Sequence, residues 1–156
     1  MSGAPEIAFY QLAKWPLEQA LAKLLERILN QSLRVVVRVA SDRYLSALNQ
    51  SLWTYDAKSF LPHGSASDGD VEQQPIYLTT GSEVPNGATI LILTGNLDAA
   101  DINNFARCVD IFDGNHEAVT KARKRWVTRS TSGHSQTFWR QAPDGLWTKH
   151  LNFEPL

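Results

Sequence analysis

A single cysteine, Cys108, stands among 156 residues. One thiol excludes an intramolecular disulfide and cannot hold a structural zinc alone, so the chain suits a reducing compartment. An excess of either charge is equally lacking. Fifteen Lys and Arg against 16 Asp and Glu leave a formal charge of −1, which excludes the chain as a whole from the electrostatic nucleic-acid binders. No apolar run approaches the length of a membrane span. The opening Met1-Ser2-Gly3-Ala4-Pro5-Glu6 has neither the basic region nor the apolar core of a secretory signal. A cytoplasmic protein with no membrane association is expected.

The glycines of a phosphate loop are missing too. No Gly-x-x-x-x-Gly-Lys-Ser/Thr occurs, and the first expected strand runs into Leu12-Ala13-Lys14-Trp15-Pro16, whose bulk would block the close backbone approach a pyrophosphate needs. There is no Gly-x-Ser-x-Gly nucleophile turn. His63, His116, His134 and His150 are scattered, with no helical His-x-x-x-His pair for a metal. Neither a cofactor nor a metal is expected.

What is present is the pattern of one α/β domain spanning 1–156, with residues 1–5 as a flexible tail. Ile7 to Leu12 reads as a strand. Pro16 starts a helix whose Leu17, Leu21, Leu24 and Ile28 share one face. Leu33 to Ala40, with Val35-Val36-Val37 at its centre, reads as a strand covered on both faces. Ser41 caps a second helix striped by Leu45, Leu48 and Leu52. Residues 63–74, rich in Gly, Ser and Asp, read as a flexible loop. Strands follow at Ile76–Thr80, Thr89–Leu93 and Cys108–Phe112, with a short helical stretch near Ala99–Ala106 and a basic helix over Asn115–Thr131. Gln136–Gln141 and Leu146–Leu151 flank the hairpin turn Pro143-Asp144-Gly145. The alternation predicts a three-layer domain, a mostly parallel central sheet with helices on both faces and a C-terminal β-hairpin at an edge.

Catalytic candidates are few. Asp110 and Asp113 flank a strand's carboxyl end, but Asp113-Gly114-Asn115 also reads as an ordinary turn with an Asn cap, which is the favoured reading. Cys108 sits in an apolar run and reads as core. Two constellations remain. In the basic helix, Lys121, Arg123, Lys124, Arg125 and Arg129 face Glu117 alone, bordering an apolar face of Val119, Ala122 and Trp126. It is either a solvated helix face or a site for an acidic peptide with an apolar end. Phosphate binding is a third, weaker reading. In the run Leu52-Trp53 to Phe60-Leu61-Pro62-His63, Trp53 falls about 100° from the leucine stripe and so points toward a partner, while Phe60 fits a core anchor or a contact equally.

The chain resembles the chi subunit of the bacterial DNA polymerase III holoenzyme, a clamp-loader accessory protein, over nearly its whole length. The resemblance rests on Phe9-Tyr10-Gln11-Leu12, Leu52-Trp53 with Ser59-Phe60-Leu61-Pro62-His63, and Asn104-Phe105 with Val109-Asp110. It continues through Ala122-Arg123-Lys124-Arg125-Trp126 and Phe138-Trp139 with Gly145-Leu146-Trp147. It implies a fold related to nucleotide-binding domains but without their phosphate loop, no intrinsic enzymatic activity, and two protein-binding surfaces. One takes the acidic, Phe-terminated C-terminal tail of single-stranded DNA-binding protein (SSB), and the other takes the psi subunit. On this sequence the tail site falls on Arg123, Trp126, Phe112 and Gly133. Val119 stands where some members carry a Lys, and Lys121 or Lys124 would compensate. The psi contact falls on Trp53, Phe60 and Pro62. A small α/β enzyme with converging Asp110, Asp113 and His, and a direct single-stranded nucleic-acid binder, are the alternatives.

Overall fold

Val35-Val36-Val37-Arg38 shows no apolar–polar alternation, the mark of a strand covered on both faces, and all four residues are buried. They form β2 (Val35–Arg38), next to the centre of an eight-stranded sheet. The computed structural model describes residues 5–53, 63–65 and 70–155. The other strands are β1 (Glu6–Gln11), β3 (His63–Gly64), β4 (Ile76–Thr79), β5 (Ile90–Leu93), β6 (Arg107–Phe112), β7 (Gln136–Gln141) and β8 (Trp147–His150). The helices are α1 (Leu17–Asn30), α2 (Asp42–Trp53) and α3 (His116–Thr131). Strand order is β3-β4-β2-β5-β6-β1-β7-β8. Every neighbouring pair is parallel except β7 and β8.

The C-terminal hairpin lies at the sheet edge as expected: β7 joins parallel to β1, with Tyr10 opposite Trp139, and its antiparallel partner β8 forms the edge. Residues 63–74, expected as a loop, hold β3 paired with Ile76 and Tyr77 and a 3-10 turn at Val71–Gln73; residues 66–69 lie outside the described residues. A 3-10 turn at Ile102–Asn104 replaces the short helical stretch expected before β6.

Helix boundaries follow local chemistry. Pro16 is the residue before α1, one position earlier than expected, and its carbonyl accepts from the Gln19 and Ala20 N–H groups. The Ser41 hydroxyl accepts from the Tyr44 N–H, capping α2, and the Asn115 side chain accepts from the Ala118 N–H, capping α3. Two cores result. On one face α1 and α2 bury Leu21, Leu25, Leu48 and Leu52 against Val35, Val37, Ile90 and Ile92. On the other, Ala122 of α3 and the Ile102–Phe105 turn cover Phe9, Val36, Leu91 and Phe138. Cys108 is in this second core, 1% exposed, and burial pushes its thiol up to about 12, out of reach of thiolate chemistry near neutral pH.

Candidate functional site

The basic helix meets the sheet through an inward stripe of Ala118, Ala122, Arg125 and Arg129, all buried. Two of the five cations in this helix thus face the core, because β6 offers Asp110 to receive them. Arg125 forks onto Asp110 at 2.7 and 2.9 Å, and Arg129 donates to Asp110 at 2.9 Å and to Asp98 at 2.9 Å. Asp110 is 1% exposed. Burial works against the Asp98 carboxylate, but Arg129 and the Ala99 N–H hold it below the usual carboxylate range. Burial likewise opposes the Arg129 charge, but the field of Asp110 together with the hydrogen bond and charge of Asp98 leaves the guanidinium above its ordinary value.

Of the apolar face read in this helix, Ala122 is buried, while Val119 and Trp126 flank the buried stripe and are half-buried. Arg123 lies beside them at helical spacing and is exposed. Below this flank is an aromatic cluster contributed by three strands. Phe9 and Phe138 are fully buried, Phe112 is 2% exposed, and Trp126 lies 5.1 Å from Phe9 and 6.4 Å from Phe138. At its centre sits Phe153, from the segment after β8. Its ring is 4.8 Å from Phe138, 5.8 Å from Trp126, 6.1 Å from Phe112 in a stacked arrangement, and 6.3 Å from Phe9. The Arg123 guanidinium caps it at 5.2 Å. Glu154 holds the segment down: Arg140 donates to its carbonyl, and its carboxylate lies 2.9 Å from His150 Nδ1.

Arg123, Trp126 and Phe112 are therefore gathered in one place, around a ring of the chain itself. Gly133 ends α3 in a left-handed conformation, φ +87°, with open space where a Cβ would stand, so backbone geometry explains the residue. Lys121 pairs with Glu117 at 3.2 Å on the exposed surface. Residues one or two apart on a helix do not face each other, so Lys124 and Lys121 point away from the Arg123 side. Trp53 is the last residue of α2, while Phe60 and Pro62 lie outside the described residues.

Sequence reasoning missed Phe153, Phe9 and Phe138. The alternation in β1 and β7 carried a signal for the last two, since Phe9 and Phe138 are cross-strand partners on one sheet face. The enzyme alternative loses its acid: both Asp110 oxygens are taken by arginines, and Asp113 is exposed in the turn before α3.

The loop after β1 is equally committed. The Gln141 carbonyl oxygen accepts from the N–H groups of Ala13, Lys14 and Trp15 at 3.1, 2.9 and 3.0 Å, and its amide donates to the Gly145 carbonyl at 3.2 Å. In nucleotide-binding α/β folds such converging N–H groups receive phosphate. Here a side-chain amide occupies them. Residues 4–137 match the family described as DNA polymerase III chi subunit, HolC.

The chain belongs to the DNA polymerase III chi subunit family.

The probable DNA polymerase III subunit chi of Rickettsia prowazekii (strain Madrid E) is 32% identical over 94 residues, 60% of this chain. The chain spans 57% of the length of that relative. The family match stops inside β7, so β8 and the segment bearing Phe153 lie beyond it. Among the described residues, no helix is long and apolar enough to cross a membrane.

Proposed function

We propose that this chi-family protein is a non-catalytic cytoplasmic adaptor of the replication machinery, joining the clamp loader, through psi or an equivalent component, to the acidic C-terminal tail of SSB. The observation that carries the tail site is Phe153. A ring seated among Phe112, Trp126 and Phe138 under the Arg123 guanidinium is what a Phe-terminated acidic peptide would present. The tail's terminal ring would take the place of Phe153, and its carboxylates would pair with Arg123. Lys124, exposed one position on, adds longer-range attraction only.

A disordered tail loses ordering entropy on binding, so an affinity of roughly 1 μM is expected. Calorimetry with a tail peptide tests the assignment. Arg123→Ala should weaken binding by about 1.5–3 kcal/mol, as for a charge-assisted bond in a pocket closed by the ligand. Phe153→Ala should tighten binding by removing the internal competitor. Unchanged affinity in Arg123→Ala rules the site out; weakening in Phe153→Ala makes that ring a wall of the pocket and not its occupant.

The second surface is assigned to Trp53, Phe60 and Pro62 at the end of α2 and beyond. In a pull-down with clamp-loader components, Trp53→Ala should lose the clamp loader and keep SSB, while Arg123→Ala should do the reverse. Loss of both partners in either variant would refute two separate surfaces.

A further inference from the structure

The sheet is wider than the helices that cover it. α1 and α2 pack over one face, but β7 and β8 extend past α1, leaving the residues in phase with Tyr10 only partly covered. A groove runs there beside α1. Its first section, about 200 Å³, is lined by Tyr10, Trp15, Trp139 and Trp147; a second, about 330 Å³, continues along Tyr10, Thr137 and Trp139 to Glu6 and Arg107.

The rings form a chain: Trp139 and Tyr10 are stacked at 5.8 Å, Tyr10 and Trp147 meet at 5.3 Å, and Trp147 and Trp15 at 6.5 Å. All four are half-buried. Cations line both rims. Lys23 and Arg27 project from α1, Arg107 stands on β6, and Lys149 lies 5.8 Å over the Trp139 ring from β8. All four cations are exposed, and Glu6 is the single acid among the lining residues. In a chain with net charge −1 this concentration is local.

We propose that this groove is a binding site for single-stranded nucleic acid. An aromatic floor between two cationic rims suits a strand whose bases lie on rings while its phosphates follow the edges. An acidic peptide would satisfy the cations but has no planar groups for four consecutive rings. The site lies on the opposite sheet face from Arg123 and Phe153, on strand positions of the other phase, and does not depend on the tail-binding reading.

Fluorescence anisotropy with labelled (dT)15 tests it, on the full chain without SSB. Saturable binding is expected at 50 mM salt, falling as salt rises with a logarithmic slope of about −0.7 for each phosphate neutralised. The double variant Arg27→Glu/Lys149→Glu, confined to exposed side chains, should abolish binding. Trp139→Ala should weaken it by about 5- to 150-fold, the range for one base–ring stack. If Trp139→Ala fails to fold, the charge variant decides alone. Absence of binding at 50 mM salt overturns the proposal. So does binding that survives the double charge variant, or that is lost in Arg123→Ala while surviving it, which would move the site to α3. Displacement of labelled (dT)15 by polyglutamate at lower concentrations than by unlabelled (dT)15 would also overturn it and make the groove an acidic-protein site.

Discussion

Asp110→Ala is expected to remove about 3–5 kcal/mol of folding stability, the largest effect of any single substitution outside the apolar cores. Asp110 is 1% exposed and receives three hydrogen bonds from Arg125 and Arg129, whose side chains are 7% and 4% exposed. Without it, Arg125 has lost its carboxylate altogether and Arg129 keeps only Asp98 at the surface. Each guanidinium remains buried with its desolvation uncompensated. Domain stabilities run from about 5 to 15 kcal/mol, so the loss consumes about a fifth of the total or more. Asp110→Asn keeps the shape and one acceptor and should fall between. Replacing the whole triad, Asp110→Leu with Arg125→Leu and Arg129→Met, should recover most of the loss, since apolar groups of similar volume leave nothing unpaired. Urea denaturation measures all three. A loss below about 1 kcal/mol in Asp110→Ala would show that water reaches the arginines and that the network is not dry.

Gln141→Ala should cost roughly 2–3 kcal/mol through the first loop. One oxygen, in a residue 2% exposed, satisfies three consecutive N–H groups, and no other acceptor among the described residues reaches them. Substitution strands all three together and frees the Gly145 carbonyl at the hairpin turn. The loop borders a cavity into which water can enter, which keeps the loss below the sum for three dry donors. Gln141→Asn separates reach from chemistry: its amide is one methylene too short, so it should be as damaging as alanine. Hydrogen exchange at Ala13–Trp15 should accelerate in both variants; protection equal to wild type would mean that the backbone finds partners elsewhere.

Much of this architecture was legible because local signals agreed. The unbroken valines of β2, the leucine stripes of α1 and α2, and the Asn115 cap each specify their element without tertiary help. Reading failed where distant residues decide. Arg125 and Arg129 look like surface charge in a window of basic residues, and only Asp110, on another element, turns them inward. The same pull rotates α3 so that Ala118, Ala122, Arg125 and Arg129 face the sheet, leaving Val119 and Trp126 on its flank. The Gln141 contact spans up to 128 positions, beyond any periodicity. For the candidate tail site, Arg123, Trp126 and Phe112 were readable from the family pattern. Phe153 lies outside the family match and has only a short irregular segment around it. The groove was hidden differently: Tyr10, Trp139 and Trp147 look like core residues until the sheet order places them at the margin of α1, which covers them only in part.

The place of β1 in that order has a consequence for how the chain is made. Its neighbours are β6 and β7, so β1 has neither edge paired until the residues from 107 onward have been added. At a synthesis rate of about 5–20 residues per second, Ile7 and Phe9 wait roughly 5–20 s on a nascent chain whose β2, β4 and β5 can already associate. During that interval the strand is an unprotected edge, open to chaperones or to neighbouring nascent chains. Ribosome-bound chains stalled before β6 should therefore hold β1 in the hands of trigger-type chaperones, and release it only when the second half of the sheet arrives to claim it.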